Sequence, residues 1–543
     1  MTVPQQIWPQ DCADNYRRAG YWTGDTFTAL LRRCAQQRPD HIALVDGDRR
    51  WTTAQLQQKA DTAAAGFIKL GLQPGDRVIV QLPNVAEFLS VIFGLFRARL
   101  IPVYMLPAHR RTEAIHFART AGAKAYVCPD QHDGFDYRTL ADELQAQVPD
   151  IRHVVVVGDA QGRVSFNDFE PAPATLPAED ADPSEVAFLQ ISGGSTGLSK
   201  LIPRTHDDYL YSVRASADIC EMDINSVYMV ALPMAHNFPM SSPGFLGALH
   251  AGSRIVLSPS PSPEAAFPLI QKERVTMVGL VPPLALLWMQ AAQSRSEDLS
   301  SLQVLQVGGA KFMPEAARRV RPTLDCQLQQ VFGMAEGLVN YTRLNDPDAL
   351  VLDTQGRPIS ADDEILILDD LGQPVAEGEV GHLLTRGPYT IRCYYNDDAA
   401  NARSFTEGGY YRTGDMVKRT PEGYLVVQGR VNDHINRAGE KISAEEIEDH
   451  LLAHPSVFDV AVVSIPDEFL GERSCAFVVA NGQKPRSMEL KAWMRTRQVA
   501  DYKVPDQIVF VDSLQTTAVG KISRKELRAA LRQQYLDKAP KEN

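Results

Sequence analysis

A chain of 543 residues and 60.0 kDa has room for three or four lobes at the usual ~150 residues per domain. Lys+Arg 55 against Asp+Glu 67 leave a net charge of −12 and a pI near 5.5, which argues against a global nucleic-acid footprint and against attraction to anionic membranes. Hydrophobic residues at 44% and charged residues at 22% are ordinary globular values and exclude wholesale disorder.

Met1 to Gln10 lacks a basic stretch followed by an apolar run, so no secretory signal is expected. Alternating helical and strand patterns then run through the first 180 residues. Thr53 to Leu70 is Ala-rich with helical periodicity, and Arg77-Val-Ile-Val-Gln-Leu reads as a buried strand. The most apolar stretch, Phe88 to Leu106, is broken by Arg97, Arg99 and Pro102. It reads as core helix followed by strand, not as a membrane span. Ala125-Tyr-Val and the valine run Val154 to Val157 continue a series that predicts parallel βαβ layers. Pro171 to Pro183, rich in Pro, Ala and acids, reads as a linker leading to the strand Val186-Ala-Phe-Leu-Gln-Ile.

A second βα series contains Ile255-Val-Leu, Val275 to Val281 and Val304-Leu-Gln-Val. Short strands with Gly turns from Asp363 to Thr385 predict a small β unit. Beyond Gly429-Arg430 a compact α+β module is expected, with helices Ala444 to Leu452 and Met488 to Arg497 and strands Val460-Ala-Val-Val and Cys475-Ala-Phe-Val-Val. The expected fold is α/β: a large N-terminal domain, 1–430, of two stacked α/β subdomains plus the β unit, then a small α+β C-terminal domain, 431–543. Seven cysteines show no CxxC spacing, which predicts neither a zinc site nor a disulfide framework and fits a reducing cytoplasm.

The densest chemical signal is Ser192-Gly-Gly-Ser-Thr-Gly-Leu-Ser-Lys200, with three glycines, four hydroxyls and a Lys after a buried strand. Exposed N–H groups and hydroxyls suit phosphate oxygens, and Lys200 adds a point charge. The Walker pattern fails, because Lys200 has no adjoining Gly. Gly193-x-Ser195-x-Gly197 does match the nucleophile elbow of serine hydrolases, but that motif needs a helix directly after the Ser. Gly197 and Pro203 oppose one, so hydrolase is the weaker reading.

The run resembles the phosphate loop of the adenylate-forming enzymes, the superfamily of acyl-CoA synthetases, luciferases and adenylation domains. Val331-Phe-Gly-Met-Ala-Glu336 resembles the family's adenine and metal block, Tyr411-Arg-Thr-Gly-Asp415 its ribose block, Gly429-Arg430 its hinge and Thr517-Ala-Val-Gly-Lys521 its C-terminal lysine block. The resemblance runs from Trp8 to the final helix. It implies ATP and Mg²⁺ as cofactors, with Ser192, Gly193, Gly194, Ser195, Thr196, Gly197, Lys200, Gly309, Val331, Phe332, Glu336, Asp415, Arg430 and Lys521 around the nucleotide and Glu336 as the metal carboxylate. Physical chemistry agrees: Asp415 accepts from two ribose hydroxyls, Arg430 is a fixed cationic fork, and Phe332 offers adenine a flat face. Implied too is a C-terminal domain that rotates between two half-reactions. Lys521 would serve adenylation, and the face carrying Gly439-Glu-Lys would serve thioester formation.

Ala235-His-Asn-Phe-Pro-Met-Ser-Ser-Pro-Gly244 resembles the aryl-acid branch, the 2,3-dihydroxybenzoate–AMP ligases of catechol siderophore assembly. Asn237 suits an ortho hydroxyl, and Phe238 lies along the ring. The resemblance implies that Gly308, Gly309, Ala310, Val331 and Val339 would form a flat slot and that Ser242 would bond the second hydroxyl. The salicylate-activating relatives carry Cys there, so Ser242 favours the dihydroxy acid. His236 lines the entrance in a catalytic or structural role. The implied partners are a small aromatic acid and a phosphopantetheinylated aryl carrier protein domain, with neither nucleic acid nor membrane. Three positions depart from the pattern: Ala438 where a Gly is usual, Asn432 at the hinge, and Cys393 in Arg392-Cys-Tyr-Tyr. Alternatives are a salicylate–AMP ligase, an aryl-CoA ligase, and a non-catalytic nucleotide or aryl-acid binder. The last is opposed by the presence of Lys200, Glu336 and Lys521.

Overall fold

A computed structural model describes residues 7–192, 199–430, 434–437, 440–467, 470–497, 499–516, 522–524, 526–528 and 531. The expected helices and strands form, with boundaries moved by a residue or two: Thr53–Lys69 and Ala86–Arg97 are helices, and Arg77–Val80, Ile101–Tyr104 and His153–Val157 are strands. Thr52 starts the first helix through a capping box, its Oγ1 accepting from Gln55 N while Gln55 Oε1 accepts from Thr52 N.

Two sheets carry the body. The first has seven strands in the order Leu201–Thr205, Val186–Ile191, Ile101–Tyr104, Arg77–Val80, Ala125–Pro129, His153–Val157, Val164–Ser165. Only Leu201–Thr205 runs antiparallel to its neighbour. The second has nine strands, with Gln327–Met334, Val304–Gly308, Met277–Leu280, Val227–Val230, Arg254–Leu257 and Ile42–Asp46 as its parallel core and antiparallel strands at both ends. Strands covered on both faces must be apolar throughout, which is why they read as valine and isoleucine runs.

Helix Ala86–Arg97 belongs to a core cluster that draws on both sheets, from Val78 and Val80 of the first to Leu44 and Ile255 of the second. It meets helix Thr53–Lys69 at Gly94, where a Cβ would come within 2.5 Å of Ala63 Cβ. Pro171 to Pro183 is not a free linker. It lies on this core as a strap, with Leu176 packed against the cluster and Asp180 taking both terminal nitrogens of Arg32 at 3.2 and 2.6 Å.

Four antiparallel strands, Glu364–Leu368, Gly381–Arg386, Tyr411–Arg419 and Leu425–Arg430, make the expected β unit. After Arg430 a separate sheet contains His434–Arg437, Glu440–Ser443, Val457–Asp467, Gly471–Ala480 and Gln507–Phe510, with helices Ala444–Leu452 and Ser487–Thr496. It meets the body where Arg319 donates to Leu452 O at 2.7 Å and Glu315 N donates to Asp449 Oδ1 at 3.2 Å. All seven cysteines are free thiols, and no helix among the described residues is long and apolar enough to cross a membrane.

A buried ion pair ties the first sheet to the loops around it. Arg204 and Asp208 have side chains 2% and 0% exposed and meet at 2.8 Å. Asp208 Oδ2 also accepts from Trp8 Nε1 at 3.0 Å, Thr205 N at 3.0 Å and Thr205 Oγ1 at 2.8 Å. Arg204 gives Nη1 to Ala335 O at 2.8 Å and Nη2 to Tyr389 O at 3.0 Å. Removing one member of so dry a pair strands the other charge, at a cost of about 3–5 kcal/mol. Arg204→Ala is therefore expected to lower the urea unfolding free energy by about that amount. A loss below about 1 kcal/mol would mean that the cluster relaxes freely.

Candidate active site

Gly193, Gly194, Ser195, Thr196 and Gly197 of the phosphate loop, and Asn432, Ala438, Gly439 and Lys521 of the C-terminal unit, lie outside the described residues. The frame of the loop is described. Val186–Ile191 and Leu201–Thr205 pair antiparallel, so the loop joins the arms of a hairpin. Ser192 N donates to Lys200 O at 3.0 Å, and Lys200 N donates to Ser192 Oγ at 2.8 Å, which closes its base. A nucleophile elbow needs a helix directly after the Ser, whereas the chain from Leu201 on is a strand paired antiparallel with the one entering the run, which counts against the hydrolase reading.

Glu336 occupies the turn between Gln327–Met334 and Gly337–Tyr341, and it is buried. Arg204 holds this turn through the neighbouring Ala335 carbonyl. Tyr394 joins three parts of the site. Its hydroxyl donates to Glu336 Oε1 at 2.9 Å and lies 3.0 Å from the Tyr411 hydroxyl, while Lys200 Nζ stands 5.1 Å from its ring centre, within cation–π range. Burial, then the Glu336 charge, keeps the Tyr394 hydroxyl protonated far above the usual phenol range.

Tyr411 opens the strand that carries Asp415. Gly414 sits at φ 76°, a left-handed conformation that glycine adopts at little cost, and the register shifts between Asp415 and Val417. Asp415 is therefore presented by a bulged strand, its N–H bonded to Thr413 Oγ1 at 3.0 Å. Arg430 faces it across the sheet and donates Nε to Asp415 Oδ1 at 3.1 Å. The Asp415 charge holds this guanidinium above its ordinary range. The strand register brings together two residues that are 15 apart in sequence, an acceptor and a cation in one place. Phe332 is half-buried and packs beside Leu338 and Val427.

A second group lies at the ends of the nine-stranded sheet. His236 caps the short helix Asn237–Ser241, its Nδ1 accepting from Phe238 N at 3.2 Å. Asn237, Phe238 and Ser242 are buried, and Tyr209 donates to Asn237 Oδ1 at 2.7 Å. A Cβ on Gly308 would stand 2.8 Å from Val331 O and 3.1 Å from Phe238 Cζ, so the absent side chain leaves room for that ring. Gly309 adopts φ 83°, Val331 and Val339 are buried, and Ala310 is exposed. Tyr341 places its hydroxyl beside those of Ser216 and Ser242, and burial holds it protonated.

Sequence reasoning missed Tyr209, Arg204, Tyr389 and Tyr394. Tyr389 accepts from Val339 N at 3.0 Å and donates to Asp363 Oδ2 at 2.7 Å, which fixes the strand carrying Val339. Tyr394 stands in the segment noted only for Cys393, and nothing in its local pattern points to Glu336.

A family model described as AMP-binding enzyme matches residues 31–395, and the AMP-binding enzyme C-terminal domain matches 446–521. The chain belongs to the AMP-binding enzyme family. It is 56% identical over 529 residues to a 2,3-dihydroxybenzoate-AMP ligase of Bacillus subtilis, covering 97% of this chain and 98% of the relative. A salicyl-AMP ligase / salicyl-S-ArCP synthetase of Mycobacterium tuberculosis is 48% identical over 97% of this chain and 94% of its own. The apo structure of MbtA from Mycobacterium smegmatis, 50% identical, superposes with a TM-score of 0.75 over 96% of this chain and 98% of its own. The chain is thus an ATP-dependent adenylating ligase with the α/β fold of its family.

Asp363 provides a test of the Val339 support. Burial raises its carboxyl from the usual 3.8 to about 7. The folded state then holds this proton where the unfolded chain has lost it, so its contribution to stability falls as pH rises from about 4 to about 7. Asp363→Asn removes this titration. Relative to the parent, its urea midpoint is expected to be higher at pH 8 than at pH 5. An equal difference at both pH values would contradict the assignment.

Proposed function

We propose that this chain activates 2,3-dihydroxybenzoate with ATP to the aryl adenylate and pyrophosphate. It then passes the aryl group to the phosphopantetheine thiol of an aryl carrier protein in siderophore biosynthesis. The observation that carries the reading is that the short helix Asn237–Ser241 and its cap Ser242 put two buried polar side chains, Asn237 and Ser242, beside the sequence position of Phe238, whose ring edge lies near Gly308. An apolar ring and two buried hydrogen-bonding groups on one short segment suit a flat ring bearing two hydroxyls. Full-length similarity to a 2,3-dihydroxybenzoate-AMP ligase supports it.

In the first step a carboxylate oxygen attacks the α-phosphorus of ATP, and the bond from that phosphorus to the pyrophosphate oxygen breaks. Asp415 accepts from the ribose hydroxyls, and Arg430 orients it by donating Nε to Oδ1. Phe332 lies against adenine. The loop from Ser192 to Lys200 cradles the phosphates. Lys200 and Lys521 offset negative charge as the attacking and leaving oxygens exchange. Glu336 would hold Mg²⁺. No group of three His, Cys, Asp or Glu that could hold a metal occurs among the described residues, and one carboxylate plus substrate phosphates suits this ion. When bound, Mg²⁺ neutralises phosphate charge. In the second step the thiol sulfur attacks the aryl carbonyl, the carbon–oxygen bond to AMP breaks, and AMP leaves.

We take residues 1–430 as the adenylation body and 431–543 as a cap that rotates between the steps, and the location as the cytoplasm. The change of sheet after Leu425–Arg430, with the two family matches ending and beginning on either side of it, supports the division.

ATP–pyrophosphate exchange tests the acid. The parent is expected to prefer 2,3-dihydroxybenzoate to salicylate. Ser242→Cys should shift that ratio toward salicylate by about 5- to 10-fold, the worth of one neutral hydrogen bond. An unchanged ratio would remove Ser242 from the acid site, and absence of exchange with every hydroxybenzoate would overturn the acid.

A further inference from the structure

In the proposed reaction Asn237 meets the ortho substituent of the acid, and the role of its neighbour rests on that reading. A carboxamide has two unlike ends, an oxygen that accepts and an NH₂ that donates, and which end meets a ligand decides what the ligand must offer. Asn237 is 9% exposed, so its orientation is set by neighbours rather than by water. The neighbour in reach is Tyr209, 1% exposed on helix His206–Ile219, whose hydroxyl donates to Asn237 Oδ1 at 2.7 Å.

The tyrosine is itself held tightly. Phe188 packs edge-on against its ring at 4.7 Å, and the Arg204 guanidinium carbon lies 4.7 Å from the ring centre on the other contact. Arg204 is in turn fixed by Asp208 and by the carbonyls of Ala335 and Tyr389. The ring therefore has one seat, and its hydroxyl donates to the Asn237 oxygen with the Ser241 hydroxyl as its other neighbour.

We propose that Tyr209 is a positioning residue for acid specificity. By occupying Asn237 Oδ1 it leaves the Nδ2 amide as the group that meets the substrate, so the site demands an acceptor at the ortho position. A 2-hydroxyl oxygen accepts such a bond. A 2-amino group conjugated with the ring offers donors and a weak acceptor, and it is rejected. The same Arg204 that holds the Glu336 turn thus also sets, through one phenol, the polarity of the acid site.

The test compares salicylate, 2-aminobenzoate and benzoate in ATP–pyrophosphate exchange for the parent, Tyr209→Phe and Asn237→Ala. Phe keeps the ring and removes only the hydroxyl, and thermal unfolding checks that the variant is folded. The parent is expected to favour salicylate over 2-aminobenzoate in kcat/KM. Tyr209→Phe should cut that preference at least 10-fold, through a rise in KM for salicylate and a fall for 2-aminobenzoate, with KM for ATP unchanged. A parent without the preference, or a Tyr209→Phe enzyme that loses equally with all three acids, overturns the proposal. Asn237→Ala separates the two layers. If it keeps the preference for salicylate over benzoate, the reading of Asn237 falls and the role of Tyr209 with it. If Asn237→Ala loses that preference while Tyr209→Phe retains full discrimination against the amine, only the role of Tyr209 falls.

Discussion

A guanidinium with almost no exposed surface survives in a protein core only if its charge is paired and its N–H groups find acceptors. Arg204 meets that requirement with Asp208, Ala335 O and Tyr389 O, and each partner comes from a different part of the chain. Asp208 is satisfied by Trp8 from the N-terminal segment and by Thr205 at the start of its own helix. Meeting these demands fixes the distance between the strand that leaves the phosphate loop, the turn bearing Glu336 and the segment that supports Val339. The site depends on this pair because its parts sit on three loops that would otherwise be independent. A hydrophobic core specifies volume, whereas this cluster specifies which loop faces which.

Tyrosines extend the arrangement outward. Tyr394 joins Lys200, Glu336 and Tyr411, Tyr389 joins Asp363 to the backbone of Val339, and Tyr209 joins Arg204 to Asn237. A phenol suits the task, since its ring fills apolar space with few rotamers and its hydroxyl both donates and accepts. Burial raises the proton affinity of each of these hydroxyls, so they remain donors across the physiological range.

The sequence disclosed those parts of the molecule that depend on local pattern. The apolar runs became parallel strands, the clash of Gly197 and Pro203 with a helical elbow became a hairpin, and the order of the motif blocks led to the family. Hidden were the relations that depend on distant pairing. Nothing local shows that Ile42–Asp46, beside its hairpin partner Arg49–Thr52, pairs on its other edge with the distant Arg254–Leu257 in the second sheet. The composition of Pro171 to Pro183 reads as a linker because its few anchors, Leu176 and Asp180, are unremarkable until Arg32 and the core are seen beneath them. In the site, Asp415 and Arg430 were legible as residue types, but their direct opposition is a product of strand register. The supporting tyrosines were illegible, because a phenol acquires its function from the acceptor it meets 26 to 58 residues away.

Everything proposed for the reaction turns on one chemical event, attack of the acid's own oxygen on the α-phosphorus. The direct measurement supplies 2,3-dihydroxybenzoate labelled with ¹⁸O in the carboxylate, together with ATP and a phosphopantetheinyl thiol acceptor, and weighs the products by mass spectrometry. Attack at the α-phosphorus followed by thiolysis at the carbonyl predicts AMP that carries one ¹⁸O, and unlabelled pyrophosphate. Unlabelled AMP, or ADP and phosphate as the nucleotide products, would contradict the account.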